Sequence, residues 1–589
     1  MPHYRISALP LRHLFRVELT FSHQGNQAPK LSLPNWVPGS YMIREFARHL
    51  TDLSASCNGQ TVPLQQLDKH TWQAAANCHG EWQLVYHIYA FDLSVRGCYL
   101  DRERGFFDGA ALFLRLHGSE QQTHRVRLDF PAEWQTATSL PRLDDGSYHA
   151  PNYRQLIDHP VEAGCLEILE FTARGLPHRI VLSGRYADFD RDRLLRDTRA
   201  ICETQLDFFP APAPFADYTF LLHVGDKLYG GLEHGSATAL LADRRCLPAH
   251  GLGEPDDGYT QLLGLISHEY FHAWNVKSIQ PAAFAESELD REAYTEQLWA
   301  FEGITSYYDD LFLVRSGVLS PAGYLKLLAQ NLTRVQQGHG RRLQSLAQSS
   351  LTAWDKYYKP NENSPNAIVS YYQKGALAAL CLDLTVRQRS QGRHSLDSIM
   401  QALYQDWLDH RNPLPEGRWE SFAQGLTGLD LQDFFDHAIR STAELPLAEN
   451  LAHGGIRLSW LPLPRSHGGG TGDTPPPAAV VPDFGARFKQ NTADITLSHV
   501  FSHGSAEQAG LAAGDRLIAL NDYAAADFAA LWAQQPVGSR ISAHYFRHGV
   551  LQQTEIDVQA AQADTAWLSV ADADALARWL QMPDAVQVA

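Results

Sequence analysis

Residues 261–276 read Gln-Leu-Leu-Gly-Leu-Ile-Ser-His-Glu-Tyr-Phe-His-Ala-Trp-Asn-Val. Leu262, Leu265, Ile266 and Tyr270 recur at helical spacing, and the pattern predicts a helix from Gln261 to Val276. On such a helix His268 and His272 lie one turn apart on the same face, so two imidazoles can hold one cation. Glu269 is rotated by about 100° from His268 and reaches water bound to that cation. The apolar run Leu262–Ile266 ahead of the motif places it inside a domain rather than on a solvated face.

A hydrolytic metal site needs a third protein ligand and one open position. Downstream, Leu298-Trp-Ala-Phe-Glu-Gly-Ile-Thr-Ser-Tyr-Tyr308 predicts a second helix with one acid in an apolar-aromatic setting. A buried carboxylate is costly unless a cation answers it. Glu302 is therefore the expected third ligand, ahead of Glu292 and Glu296, which stand in a more polar stretch. Two histidines and a carboxylate select zinc over magnesium or calcium. The expectation is one zinc ion per chain, with Glu269 as general base.

Working outward, residues 1–175 read as β-rich. Alternating runs such as Phe15–Phe21 and Trp82–Tyr89 are separated by Gly, Pro, Asn and Asp clusters. Within this region the aromatic turn Trp36–Tyr41, followed by Arg44, either packs or lines a cleft. Residues 176–460 are mixed and then mainly helical, with helices expected over 291–315 and 367–388. Residues 461–480, LPLPRSHGGGTGDTPPPAAV, have a linker's composition. A small unit follows at 481–560, and its run Gly504–Asn521 resembles the helix, Gly-Asp turn and strand of a PDZ domain. Residues 561–589 remain as a C-terminal tail. The fold class expected is multidomain α+β.

The 589 residues exceed what one hydrophobic core supports. A net charge of −17 disfavours nucleic acid and anionic lipid as partners. Seven scattered cysteines without a C-x-x-C pair argue against a disulfide framework and against a thiolate zinc site. The N-terminus alternates like a strand and lacks a signal-peptide pattern. No apolar run approaches the ~20 residues needed to cross a bilayer, so a cytoplasmic location is expected.

Three segments together, SHEYFHAWNVKSIQP (267–281), LWAFEGITSYYDDL (298–311) and SYYQKGALAALCLDL (370–384), resemble the glycyl aminopeptidase family of gluzincin metallopeptidases, relatives of aminopeptidase N. The segment Trp36–Arg44 also resembles that family's N-terminal pattern. The resemblance implies an N-terminal β-sandwich-like domain, a thermolysin-like catalytic domain and a C-terminal PDZ domain with a β-barrel-like core. It implies His268, His272 and Glu302 as zinc ligands and Glu269 as base. It also implies Tyr372, within Tyr371-Tyr-Gln-Lys-Gly375, as the transition-state donor. Gly230-Gly-Leu-Glu-His234 resembles the segment whose acid, here Glu233, binds a free amino group, with Gly230, Gly231 and His234 beside it. Whether His234 lines the substrate site or bonds within its loop stays open, as does Asp309 between orienting a ligand and sitting solvated beside Asp310.

The activity implied is removal of small N-terminal residues, Gly or Ala, from peptides with a free N-terminus. Two other readings remain: a zinc endopeptidase with PDZ-guided substrate delivery, and a PDZ-bearing binding protein with an inactive zinc domain. The 481–560 unit would take a C-terminal peptide by strand addition. Gly485-Ala-Arg-Phe488 would be its carboxylate loop, short of one Gly of the usual pattern.

Overall fold

The computed structural model describes residues 1–477 and 479–581, and the chain forms two compact units. The first comprises Met1–Ala293 with Gln401–Pro415, and the second Tyr294–Met400 with Glu416–Ala589.

The N-terminal part of the first unit is β-rich, as its alternation predicts. In the strand Leu14–His23, Phe15, Val17, Leu19 and Phe21 are buried, while the intervening residues are more exposed. These four pair in register with Ile88, Tyr86, Leu84 and Trp82 of the strand Gly80–Tyr89. Two apolar rows therefore face one core, each large side chain contributing about 1.5–3 kcal/mol by burial. Both strands lie centrally in a seven-stranded sheet, with two four-stranded sheets beside it.

One expectation is corrected here. Cys57 and Cys78 form a disulfide, and Cys98, Cys165, Cys202, Cys246 and Cys381 are free. The pairing of Leu50–Cys57 with Gly80–Tyr89 brings together two cysteines 21 residues apart. Sequence spacing carries no trace of that juxtaposition.

Further along the same unit lies a five-stranded sheet. Leu176–Gly184, Tyr218–Gly225 and Ala237–Asp243 run parallel, and the middle of these is almost wholly buried, as expected with elements on both faces. Tyr229–Glu233 pairs antiparallel with Ala237–Asp243 and forms the sheet's edge. The helix Asp257–Phe271 packs against this edge, its first turn capped by the Asp256 side chain accepting from the Tyr259 N–H. The helix ends at Phe271, five residues before its predicted end. The chain then turns sharply, and Val276 takes φ +117°, a costly conformation for a β-branched residue.

The second unit contains the helices Ile304–Arg315, Pro321–Gln337 and Gln373–Arg389. The first and third are tied by a buried polar pair, the Tyr307 hydroxyl donating to Asp383 at 2.8 Å; Arg387, one turn on in the third helix, donates to the same carboxylate at 3.0 Å. Residues 461–480 are partly structured. Within this run Gly470–Thr471 pairs with Thr565–Val570, which also pairs with Ile456–Leu461. The expected tail likewise holds that strand and the helix Ala573–Leu580, while residues 582–589 lie outside the described residues. Between them, strands from Ala486 to Asp557 enclose a core that includes Phe484, Leu497, Leu517, Phe528 and Ile541. The run resembling a PDZ segment folds as the helix Ser505–Gln508, a Gly514-Asp515 turn and the strand Arg516–Leu520.

Candidate metal centre and active site

His268 lies in the last turn of the helix Asp257–Phe271, and His272 is its C-cap. The helix stops there for a local reason. His272 Nδ1 sits 2.8 Å from the Asn275 carbonyl, and the Lys277 N–H donates to the His272 carbonyl at 3.0 Å. The first contact makes Nδ1 the protonated nitrogen and leaves the Nε2 lone pair for a metal. The Nε2 atoms of His268 and His272 are 3.1 Å apart. Two nitrogens bound at about 2.05 Å to a tetrahedral zinc stand about 3.3 Å apart. The ligand atoms of His268, His272 and Glu302 all lie within 4.8 Å of one another. This donor set fits zinc.

Glu302 lies in a π-helical turn, Trp299–Gly303, that runs into the helix Ile304–Arg315. Such turns recur at functional sites because they re-aim a side chain. Gly303, next to Glu302, packs backbone to backbone on Gly375. A Cβ on Gly303 would lie 2.7 Å from Gly375 atoms and 2.8 Å from the Tyr371 carbonyl oxygen. The glycine of the Tyr-x-Lys-Gly segment is thus what lets the Glu302 turn and the Tyr372 segment touch. Of the two tyrosines, Tyr371 is fully buried. Tyr372 is only partly buried, and its hydroxyl is 3.2 Å from that of Tyr358.

The edge strand brings two more carboxylates into place. Gly231 lies directly against Glu269: a Cβ there would stand 2.0 Å from Glu269 Oε1. The Gly231 carbonyl accepts from Arg96 at 2.8 Å. Two residues on, the Glu233 carboxylate rests on the backbone of Gly39, where a Cβ would fall 2.4 Å from Glu233 Oε1. Gly39 has φ +89°, so both its conformation and this contact call for glycine. The Trp36–Tyr41 turn packs. Trp36 and Tyr41 pack on Phe284, with ring centroids 6.0 and 5.3 Å away, while Gly39 backs Glu233.

His234, left open between lining the substrate site and bonding within its loop, pairs with a carboxylate from another segment. Its Nδ1 is 3.2 Å from Asp158 Oδ1, and its Nε2 is 3.8 Å from Asp108 Oδ2. Asp158 also accepts from the Gly235 N–H at 3.0 Å and from Lys277 at 2.6 Å. One carboxylate thereby ties the turn after Glu233 to the segment after His272. Lys277 and His234 hold Asp158 well below the usual carboxylate range despite the opposing effect of burial. Gly230 has open space around it. Asp309 accepts from the Asp310 N–H at 2.6 Å.

Asp108 is fully buried and caps a short helix by accepting from the Ala110 N–H. Burial raises its carboxyl to about 6, against the pull of the nearby His234 and Lys277. Its protonated form thus favours the fold, and that stabilisation is complete below about pH 3.9 and lost as pH rises through about 6. Asp108→Asn keeps the capping acceptor and never ionises. We expect it to be more stable than wild type at pH 8, by on the order of 1–3 kcal/mol, with a smaller gain at pH 5. Denaturant titrations at the two pH values check this, and an equal difference at both would rule it out.

Residues 3–165 match the family model described as the Peptidase M61 N-terminal domain, and residues 261–378 match that of the M61 glycyl aminopeptidase. A crystal structure described as an aminopeptidase N family protein from Idiomarina loihiensis shares 38% identity, with a TM-score of 0.94. The alignment covers 98% of this chain and 100% of that one. The chain belongs to the M61 glycyl aminopeptidase family.

It is accordingly a zinc aminopeptidase, a hydrolase of peptide bonds. More distant structures include an M1 zinc metallopeptidase from Deinococcus radiodurans (15% identity, TM-score 0.48, covering 76% of this chain and 94% of that one). Another is a yeast LTA4 hydrolase in complex with bestatin (13% identity, TM-score 0.48, covering 76% and 68%). No curated protein sequence matches the chain. Among the described residues, no helix is long and apolar enough to cross a membrane.

Sequence reasoning missed Gly39, Arg96, Asp108, Asp158 and Lys277. Lys277 has a local signal, falling five residues after His272 in the quoted motif. The others stand about 100 residues or more from the motif helix and become relevant only through the fold.

Proposed function

We propose that this M61 family member removes N-terminal residues from peptides that carry a free α-ammonium group. The observation that carries this reading is Glu233. Its side chain is 4% exposed, and its Oε1 has no hydrogen-bond partner among the described residues. A buried carboxylate of this kind calls for a cation, and a peptide's α-ammonium supplies one. An internal peptide bond brings no such charge and leaves the acid unanswered, which is how an exopeptidase separates a chain end from its middle.

The other roles follow the chemistry of the groups. His268, His272 and Glu302 would hold zinc, which when bound acidifies water and polarises the scissile carbonyl. Glu269, buried against Gly231, takes the proton from the attacking water and passes it to the leaving amine. The Tyr372 hydroxyl donates to the oxyanion. A preference for small N-terminal residues such as Gly or Ala rests on the family alone.

Glu233→Gln is expected to lower kcat/KM on free-amine aminoacyl amides by about 10–150-fold, the range for one charge-assisted hydrogen bond. Its effect on N-acetylated substrates should stay within about threefold. Equal losses on both classes would reject the exopeptidase reading. So would internal cuts in a long peptide, in place of stepwise loss from its N-terminus.

A further inference from the structure

We infer that Asn366 is a positioning residue through which the C-terminal β unit holds the loop bearing Tyr372. The inference rests on the reading of Tyr372 given above. The loop leaves the turn Ala353–Tyr357 and returns into the helix Gln373–Arg389. Its flanking residues, Tyr358 and Tyr372, meet through hydroxyls 3.2 Å apart. Near its C-terminal end the loop is tethered by its own surroundings. The Val369 N–H donates to Gln344 at 3.0 Å, the Ser349 hydroxyl donates to the Val369 carbonyl at 2.5 Å, and Ile368 packs on Gly340.

Residues 361–363, by contrast, are exposed. Just after them, the Asn366 side-chain amide donates to the Val500 carbonyl at 2.8 Å and accepts from the Ser502 N–H at 2.9 Å. These two bonds imitate a strand's backbone pairing, so one side chain docks the loop on a turn more than 130 residues away. That turn is firm. The Phe501 N–H donates to the Gly485 carbonyl at 2.8 Å, and Gly504 packs on Gly485 so closely that a Cβ would lie 2.8 Å from its Cα. Arg465 lies over the Phe501 ring at 4.5 Å.

A second observation points to bracing rather than peptide capture as the unit's work. The strand Ala486–Gln490 and the helix Phe528–Ala533, where an added strand would insert, are joined by the unit's own side chains. Phe488 and Phe484 contact Phe528, with ring centroids 5.0 and 4.7 Å away. Gln490 bridges to the carbonyls of Ala525 and Ala526 and accepts from the Phe528 N–H. The Gly485 N–H, which would receive a terminal carboxylate, already donates to Asp483 Oδ1.

The test uses the full-length, zinc-loaded enzyme and an aminoacyl amide, with zinc content and Tm measured for every variant. Asn366→Ala is expected to lower kcat 5–20-fold with KM within twofold, and Tyr372→Phe to lower it about 100-fold. In the double variant kcat should match Tyr372→Phe alone within twofold, because the brace acts through the tyrosine. Asn366→Asp, the same shape without the donor to Val500, should reproduce part of the loss. With Tyr372→Phe impaired, a wild-type kcat in Asn366→Ala overturns the inference, as does full multiplication of the two losses in the double variant. A wild-type kcat in Tyr372→Phe instead overturns the reading of Tyr372 on which it rests.

Discussion

Glu269→Gln is expected to cut kcat/KM by about 10³–10⁴-fold while zinc stays bound in full. The amide has the carboxylate's shape, so the buried helix position keeps its packing. His268 and His272, on either side in sequence, keep their lone pairs. An amide cannot take a proton from water near pH 7, so the loss reports proton transfer rather than folding. Metal analysis alongside kinetics on an aminoacyl amide checks both halves. Activity within tenfold of wild type would remove Glu269 from the role of base, and lost zinc would make the residue structural.

The second large effect is expected at Gly231, which lies against the base. Gly231→Ala places a Cβ 2.0 Å from Glu269 Oε1, where about 3.4 Å is the ordinary minimum for such contacts. Either the edge strand or the carboxylate must then move by more than about 1 Å, and displacements of that size cost about 100-fold in rate. We expect kcat/KM to fall by about that factor, with zinc content unchanged. At Gly230 a Cβ meets nothing within 4 Å. Gly230→Ala alters backbone freedom in the same strand without crowding Glu269 and should cost far less. Similar losses at the two positions would mean that strand flexibility, not contact with Glu269, governs the rate.

Much of the site is legible in the sequence because its central motif is local. His268 and His272 share a helix face through the i, i+4 relation, which depends on nothing outside the segment. Glu302 is legible for a different reason: an acid set among Leu298, Trp299, Phe301 and Ile304 needs a cation. The alternation of Phe15, Val17, Leu19 and Phe21 likewise announces a sheet with one buried face.

Other features leave no local trace. The periodicity predicts a helix running to Val276, yet the helix ends at Phe271. The Asn275 carbonyl turns back to orient His272, and Val276 carries the strain. His234, beside Glu233, pairs with Asp158, 76 residues earlier, a partner that its own loop does not announce. The Cys57–Cys78 bond depends on strand pairing between segments that say nothing about each other in sequence.

The chemistry is written locally, in the His268–Glu269–His272 helix and the carboxylate expected to complete it. Such patterns rest on helical geometry and on the cost of buried charge, and both act within a short stretch of chain. How the surrounding groups are held is settled by the fold instead. Gly231 behind Glu269, Gly39 behind Glu233, Gly303 on Gly375 and the Asp158 ties are close approaches between segments far apart in the chain. Each is set by how sheets and helices pack, a property that no single stretch of residues carries.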